Sequence, residues 1–130
     1  MGMWILIVDD EEMIREGLKA YLEDEGMQAM ALESAEEAVQ RVKGGQAFAV
    51  CIMDIRLPDM DGNAAIRILH SLCPNMGFII HTGSADYDLP SDLQAIGLSD
   101  EQVYLKPLND MAPLAATVRK LLAQTPRGAG

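Results

Sequence analysis

Short apolar runs alternate with amphipathic helical segments along the whole of this 130-residue chain, and that alternation leaves few folds open to it. Runs rich in Ile, Val, Phe and Met occur at 3–8 (MWILIV), 27–32 (MQAMAL), 48–55 (FAVCIMDI), 77–81 (GFIIH) and 102–105 (QVYL). Several are apolar at consecutive positions, as strands covered on both faces are. Between them, 11–25 places Ile14, Leu18, Tyr21 and Leu22 at helical spacing and stops at Gly26. Segment 34–43 opens with Ser34 and Glu37 in a capping-box pattern and ends at Gly44-Gly45. Segment 61–72 begins with an Asp cap and ends before Pro74, and 90–96 is short and stops at Gly97. A last helix over 110–123 carries Met111, Leu114, Val118, Leu121 and Leu122 on one stripe, with Pro113 in its first turn, where a missing N–H costs little. Alternation of this kind over a single domain's length predicts an α/β fold: a parallel sheet with helices on both faces and right-handed crossovers. Residues 1–123 are expected to form that domain, and 124–130 (QTPRGAG) a disordered C-terminal tail.

Composition narrows the function classes. A chain with 49% hydrophobic and 23% charged residues reads as a soluble globular protein. No apolar run approaches the roughly 18–20 residues of a membrane span, so no membrane partner is expected. The N-terminal MGMWILIV lacks the basic flank and cleavage site of a signal peptide and reads as a strand. Cys51 and Cys73 carry no pairing signature and suit the reducing cytoplasm. A net charge of −10, from 20 acidic against 10 basic residues, argues against nucleic acid as a direct partner, because phosphate contacts need clustered Lys and Arg.

Ligands of open α/β sheets bind outside the carboxyl ends of the strands, so the strand ends are where chemistry is sought. The first strand ends in Asp9-Asp10, followed by Glu11-Glu12; the third in Asp54; the fourth in Thr82; the fifth in Lys106-Pro107. If the strands are parallel neighbours, these side chains converge although the sequence spreads them over almost the whole chain. Carboxylates crowded in this way repel one another and raise a pKa unless a cation intervenes. A hard divalent ion meets that need, and Mg2+ suits one or two carboxylates with waters and a phosphate oxygen. A helix-capping role for Asp9 and Asp10 is the plainer alternative. A third Asp on another strand end, with a Lys beside it, favours a functional cluster.

The motifs ILIVDDEE, MDIRLPDMDG, HTGS and YLKPL, in this order and at these spacings, resemble the receiver domain of bacterial two-component response regulators, of the chemotaxis type. The resemblance spans residues 3–122 and implies a flavodoxin-like fold with strand order 2-1-3-4-5. It implies that Asp54 is the phosphoacceptor and that Asp9 and Asp10 hold Mg2+, together with Asp54 and the backbone carbonyl of Arg56. Thr82 matches the hydroxyl that contacts the phosphoryl group, Lys106 the lysine that pairs with it, and Lys106-Pro107 a peptide bond usually cis in the family. The implied partners are a sensor histidine kinase or a histidine phosphotransfer domain upstream and an unidentified protein or output domain downstream. The implied activity is self-phosphorylation from a phosphodonor followed by slow self-hydrolysis, with a switch over residues 83–108; this is a signalling device and not a conventional enzyme. A pseudo-receiver that keeps the fold and signals without phosphate is the alternative. Arg56 and Ser84 match positions that tune water attack on the acyl phosphate.

Other features carry less. Asp59-Met60-Asp61-Gly62 is not a calcium loop, because Leu57 and Ile68 occupy its first and last ligand positions; Asp59 and Asp61 are expected to shape the turn and cap a helix. His81 is expected to be a half-buried packing residue facing away from Thr82. His70 and Cys73 are too sparse for a metal site, and the nine methionines read as core filler. Val103 stands three residues before Lys106, where many receivers carry a switch aromatic, and Tyr104 one residue later is expected on the opposite face.

Overall fold

Five strands join edge to edge in the order β2-β1-β3-β4-β5, every pairing parallel. The computed structural model describes residues 3–124. In chain order the elements are β1 Trp4–Val8, α1 Glu12–Asp24, β2 Gln28–Leu32, α2 Ala35–Lys43, β3 Val50–Met53, α3 Gly62–Leu72, β4 Gly77–Thr82, α4 Ser91–Ala95, a 3-10 turn at Asp100–Gln102, β5 Val103–Leu105 and α5 Ala112–Gln124. The parallel sheet is the one the alternation of patterns predicts, and its strand order is the flavodoxin-like one that the resemblance implies. Helix α5 runs one residue past the expected domain boundary, to Gln124, and the rest of the expected tail, 125–130, lies outside the described residues.

Successive strand residues face opposite sides of the sheet, which is why the central strands had to be apolar throughout. Leu6, Val8, Cys51, Met53, Phe78 and Ile80 pack with Ala38 and Val39 of α2, Ile66 and Leu69 of α3 and Leu93 of α4. Ile5, Ile7, Val50, Ile52 and Ile79 pack on the other face with Leu18 and Leu22 of α1 and Leu114 and Val118 of α5. Each such side chain, fully buried, contributes on the order of 2 kcal/mol of hydrophobic stabilisation.

The parallel register lines up the carboxyl ends. Beyond each strand the ladder continues by one bond: Asp9 N–H donates to Leu32 O at 3.1 Å, Asp54 N–H to Val8 O at 2.9 Å and Lys106 N–H to Thr82 O at 2.8 Å. The helix starts differ in detail from the capping patterns. Ser34 Oγ accepts from Glu37 N–H at 3.2 Å, while the Glu37 carboxylate pairs with Arg41 at 3.5 Å. Asp61 occupies the N-cap of α3 without a side-chain capping bond.

The β3–α3 connection is a tight hairpin. Gly62 N–H donates to Ile55 O at 2.8 Å, and Arg56 and Asp61 form an antiparallel bridge. A Cβ at Gly62 would lie 2.3 Å from the Asp54 carbonyl oxygen and 2.7 Å from Ile55 Cα, both backbone atoms that cannot step aside. Gly62→Ala is therefore expected to destabilise the domain by about 2 kcal/mol or more, the scale of an overpacked core, and chemical denaturation would show it. An unchanged midpoint would mean that the hairpin shifts freely.

Candidate functional site

Asp54 is 4% exposed and Asp9 is 2% exposed, so two nearly inaccessible carboxylates lie just past the carboxyl ends of β3 and β1. Burying two such groups side by side is unfavourable unless a cation pairs with them. Lys106, carried by the end of β5, supplies one. Its ammonium lies 2.8 Å from Asp9 Oδ2, 3.0 Å from Glu11 Oε1 and 3.2 Å from Asp54 Oδ2. Asp9 uses its other oxygen locally: Oδ1 accepts from Glu11 N–H at 2.9 Å at the start of α1. Asp9 thus ties the turn before α1 to the cluster, while α1 itself, with Glu11 at its N-cap, has no side-chain capping bond. Arg15 holds the same turn, with its guanidinium 3.3 Å from Asp9 O and 3.4 Å from Asp10 O.

The electrostatics follow from this packing. Burial, and then the charge of Asp9, push the Asp54 carboxyl up to about 6, against the opposing pull of Lys106 and of the Arg56 backbone N–H. Burial alone would lower the Lys106 pKa, but its hydrogen bonds to Asp9 and Glu11 and the charges of Asp9 and Asp54 outweigh burial and hold it above its usual value. Donor oxygens of Asp9, Asp10, Glu11 and Asp54 all lie within 4.8 Å of one another. A set made only of hard oxygen donors, crowded enough to raise one pKa, fits Mg2+ chemistry.

The structure brings the sequence-derived residues together. Thr82, at the end of β4, is fully buried, and its Oγ1 accepts from Ser84 N–H at 3.1 Å. Arg56 reaches across the rim to Ser84 Oγ at 3.3 Å, and Ser84 in turn donates to Asp86 at 2.6 Å. The Lys106-Pro107 bond is cis. Glu11 is the participant that sequence reasoning passed over: it was visible in the DDEE run, but its contact with Lys106 spans 95 positions.

Two surrounding residues needed the structure. His81 was expected half-buried; it is 3% exposed, and neither ring nitrogen has a partner among the described residues. Burial, and then the nearby Lys106 charge, lower its pKa to about 4. Tyr104 lies on the α5 face as expected, its hydroxyl 3.1 Å from Pro113 O and 2.5 Å from Thr117 Oγ1, while Val103 packs on the opposite face. On the α3 side stands Tyr87, from the loop after β4, whose hydroxyl donates to Asn63 Oδ1 at 2.6 Å.

A five-stranded parallel sheet with an acidic cluster, a threonine and a lysine at its carboxyl edge defines a receiver-type signalling domain. The family model described as the response regulator receiver domain matches residues 5–119, and the chain belongs to that family. It is 36% identical over 112 residues to the transcriptional regulatory protein AruR of Pseudomonas aeruginosa, covering 81% of this chain and 43% of that one. It is 29% identical over 126 residues to the response regulator protein FleR of the same organism, covering 97% of this chain and 26% of FleR. The chain thus spans less than half the length of these relatives. Among solved structures, a CheY-like receiver domain protein from Methanospirillum hungatei superposes with a TM-score of 0.79 at 31% identity, covering 95% of this chain and 97% of that one. The response regulator protein TrrA from Thermotoga maritima, solved in complex with Mg2+-BeF, gives 0.76 at 30% identity, covering 93% and 99%. No described helix is long and apolar enough to cross a membrane.

Asp54 and His81 make opposite contributions to stability against pH in divalent-free buffer. The Asp54 pKa is raised from 3.8 to about 6, so its contribution is favourable below the unfolded value and is lost as pH rises through about 6. Asp54→Asn should therefore be about 2 kcal/mol more stable than wild type at neutral pH, a margin that shrinks on acidification. The His81 pKa is lowered from 6.5 to about 4, so its contribution is intact above the unfolded value and is lost as pH falls through about 4. His81→Leu should accordingly flatten the acid limb of the stability curve. Urea titrations across this range check both; parallel curves for wild type and either variant would contradict the corresponding assignment.

Proposed function

We propose that Asp54 is the phosphoacceptor of this receiver domain. The observation that carries the proposal is the Asp54 carboxylate held 3.2 Å from the Lys106 ammonium inside a cluster of oxygen donors at the strand ends. In the transfer, an Asp54 oxygen attacks phosphorus, the bond to the donor's nitrogen or oxygen breaks, and the leaving group keeps that electron pair. Such a step needs in-line positioning and positive charge around the phosphoryl oxygens more than covalent assistance. Asp9, Asp10, Asp54 and the Arg56 carbonyl are the groups that would hold Mg2+, which when bound adds positive charge opposite those oxygens. Lys106 already stands beside Asp54 and would exchange a carboxylate contact for a phosphoryl oxygen. Thr82, at the end of the neighbouring strand β4, is the hydroxyl that would turn to the new group. The upstream donor is a histidine kinase or a phosphotransfer domain. Loss of the acyl phosphate to water would reset the domain, and Arg56, already bound to Ser84 at the rim, is placed to slow that water's approach. On this reading the domain works in the cytoplasm, and its output passes to a partner protein or attached domain.

Incubation with acetyl phosphate and Mg2+ should give a single phosphoryl adduct by intact mass, absent without the metal and absent in Asp54→Asn. An adduct that survives that substitution, or none in wild type, would sink the assignment.

The switch is expected to run through the loop after β4. Tyr104 is committed to α5 through Thr117 and Pro113, whereas Ser84 and Tyr87 link the 83–101 segment to Thr82 and to α3. Hydrogen exchange with and without beryllofluoride should therefore differ most across 83–101, and Tyr104→Ala should leave that difference in place. If the variant folds and is phosphorylated yet loses the difference, Tyr104 couples the site after all.

A further inference from the structure

We propose that Asp59 is a positioning residue for the metal site, acting as a tether between the β3–α3 hairpin and the N-terminus of α2; this inference rests on the phosphoacceptor reading above. Its Oδ2 accepts a hydrogen bond from the backbone N–H of Glu36 at 2.8 Å, across 23 positions of sequence. Glu36 is the second residue of α2, and the next amide, that of Glu37, is already satisfied by Ser34. The helix is thus capped twice, once by its own N-cap residue and once from outside. The outside cap is a carboxylate at the positive end of the helix dipole, a charge-assisted arrangement.

The consequence lies three residues back along the hairpin. Arg56 forms the antiparallel bridge with Asp61, and its backbone N–H lies near enough to the Asp54 carboxylate to oppose the rise in that group's pKa. Its carbonyl is the group assigned to Mg2+. Leu57 and Met60, flanking the turn, pack against the α2/α3 core and set how deep the hairpin lies. Apolar contacts are non-directional, so they do not fix where along α2 its tip sits. The Asp59–Glu36 bond supplies that coordinate. In a hairpin closed by the Arg56–Asp61 bridge and by Gly62 N–H to Ile55 O at 2.8 Å, a displaced tip displaces the Arg56 peptide. Because Asp59 is itself exposed, its bond contributes little to global stability, and its effect should fall on ligand geometry.

The test compares the whole chain carrying Asp59→Ala, Asp59→Asn, Glu36→Pro and the Asp59→Ala/Glu36→Pro pair. Proline at the second position of α2 removes the donor, and the second position of α5 already holds Pro113. Calorimetric Mg2+ titration should show Kd raised about tenfold by Asp59→Ala and by Glu36→Pro, the scale of a lost outer-shell partner. Asp59→Asn keeps the acceptor and should stay within about twofold of wild type, and the pair should be no worse than either single change. In metal-free protein, the Gly62 amide should exchange faster in Asp59→Ala while the melting temperature holds. A wild type that binds no Mg2+ would overturn the phosphoacceptor reading and this inference with it. Normal Mg2+ binding by wild type, Asp59→Ala and Glu36→Pro alike would overturn the tether alone. A loss shared equally by Asp59→Asn would also overturn it, since charge and not the bond would then be responsible.

Discussion

The Lys106 ammonium, in contact with Asp9, Glu11 and Asp54 at once, is the interaction on which the rest of this site depends. Without it, two nearly inaccessible carboxylates would face each other across a strand boundary, and at least one would have to take up a proton. With it, Asp54 is partly relieved and its pKa stops near 6. Such a compromise would suit the nucleophilic role proposed for Asp54. The carboxylate is ionised at neutral pH, yet it is less comfortable than an exposed one and gains from any further cation or from esterification to phosphorus.

The fold serves this contact by bringing distant segments to one edge. Parallel pairing requires every connection to cross over the sheet, so all the carboxyl ends of the strands meet, and a residue just past each end inherits its position from the ladder. The two faces divide the work. The α1/α5 face is packed with apolar residues, and buried His81, whose ring nitrogens have no partner, is an unfavourable feature among otherwise satisfied side chains of the described residues. The other face carries α2, α3 and α4, and with them the hydrogen-bonded links of Asp59 to α2, Tyr87 to α3 and Arg67 to Asp92 of α4, the last at 2.6 and 3.1 Å.

Much of this was legible in the chain. The consecutive apolar runs located all five strands within a few residues, because burial on both faces leaves little freedom in composition. Asp9, Asp54, Thr82 and Lys106 stood out because each follows an apolar run where a polar residue needs a reason. What remained hidden depends on distances between elements. Strand alternation predicted which way His81 faces but not how completely α1 and α5 cover it. Asp59 was expected to shape a turn and cap a helix; it caps α2, not the helix that follows it, and no periodicity records that choice. Glu11 looked like one more acidic residue at a helix start until β5 placed Lys106 beside it.

The last bond of each ladder gives the site a particular way of failing. Asp54 hangs from β1 and Asp9 from β2, whereas Lys106 hangs from β4 at the end of a three-residue edge strand. Edge elements with few ladder bonds open locally far more often than the centre of a sheet. A transient detachment of β5 would therefore carry away the only cation in contact with these carboxylates among the described residues, while leaving the carboxylates in place. The domain would be disarmed without being unfolded, by an excursion that reverses when three residues zip back onto β4. Chemical competence is in this sense a property of the least secure strand, and whatever stiffens or loosens that edge sets how much of the time the machinery is assembled.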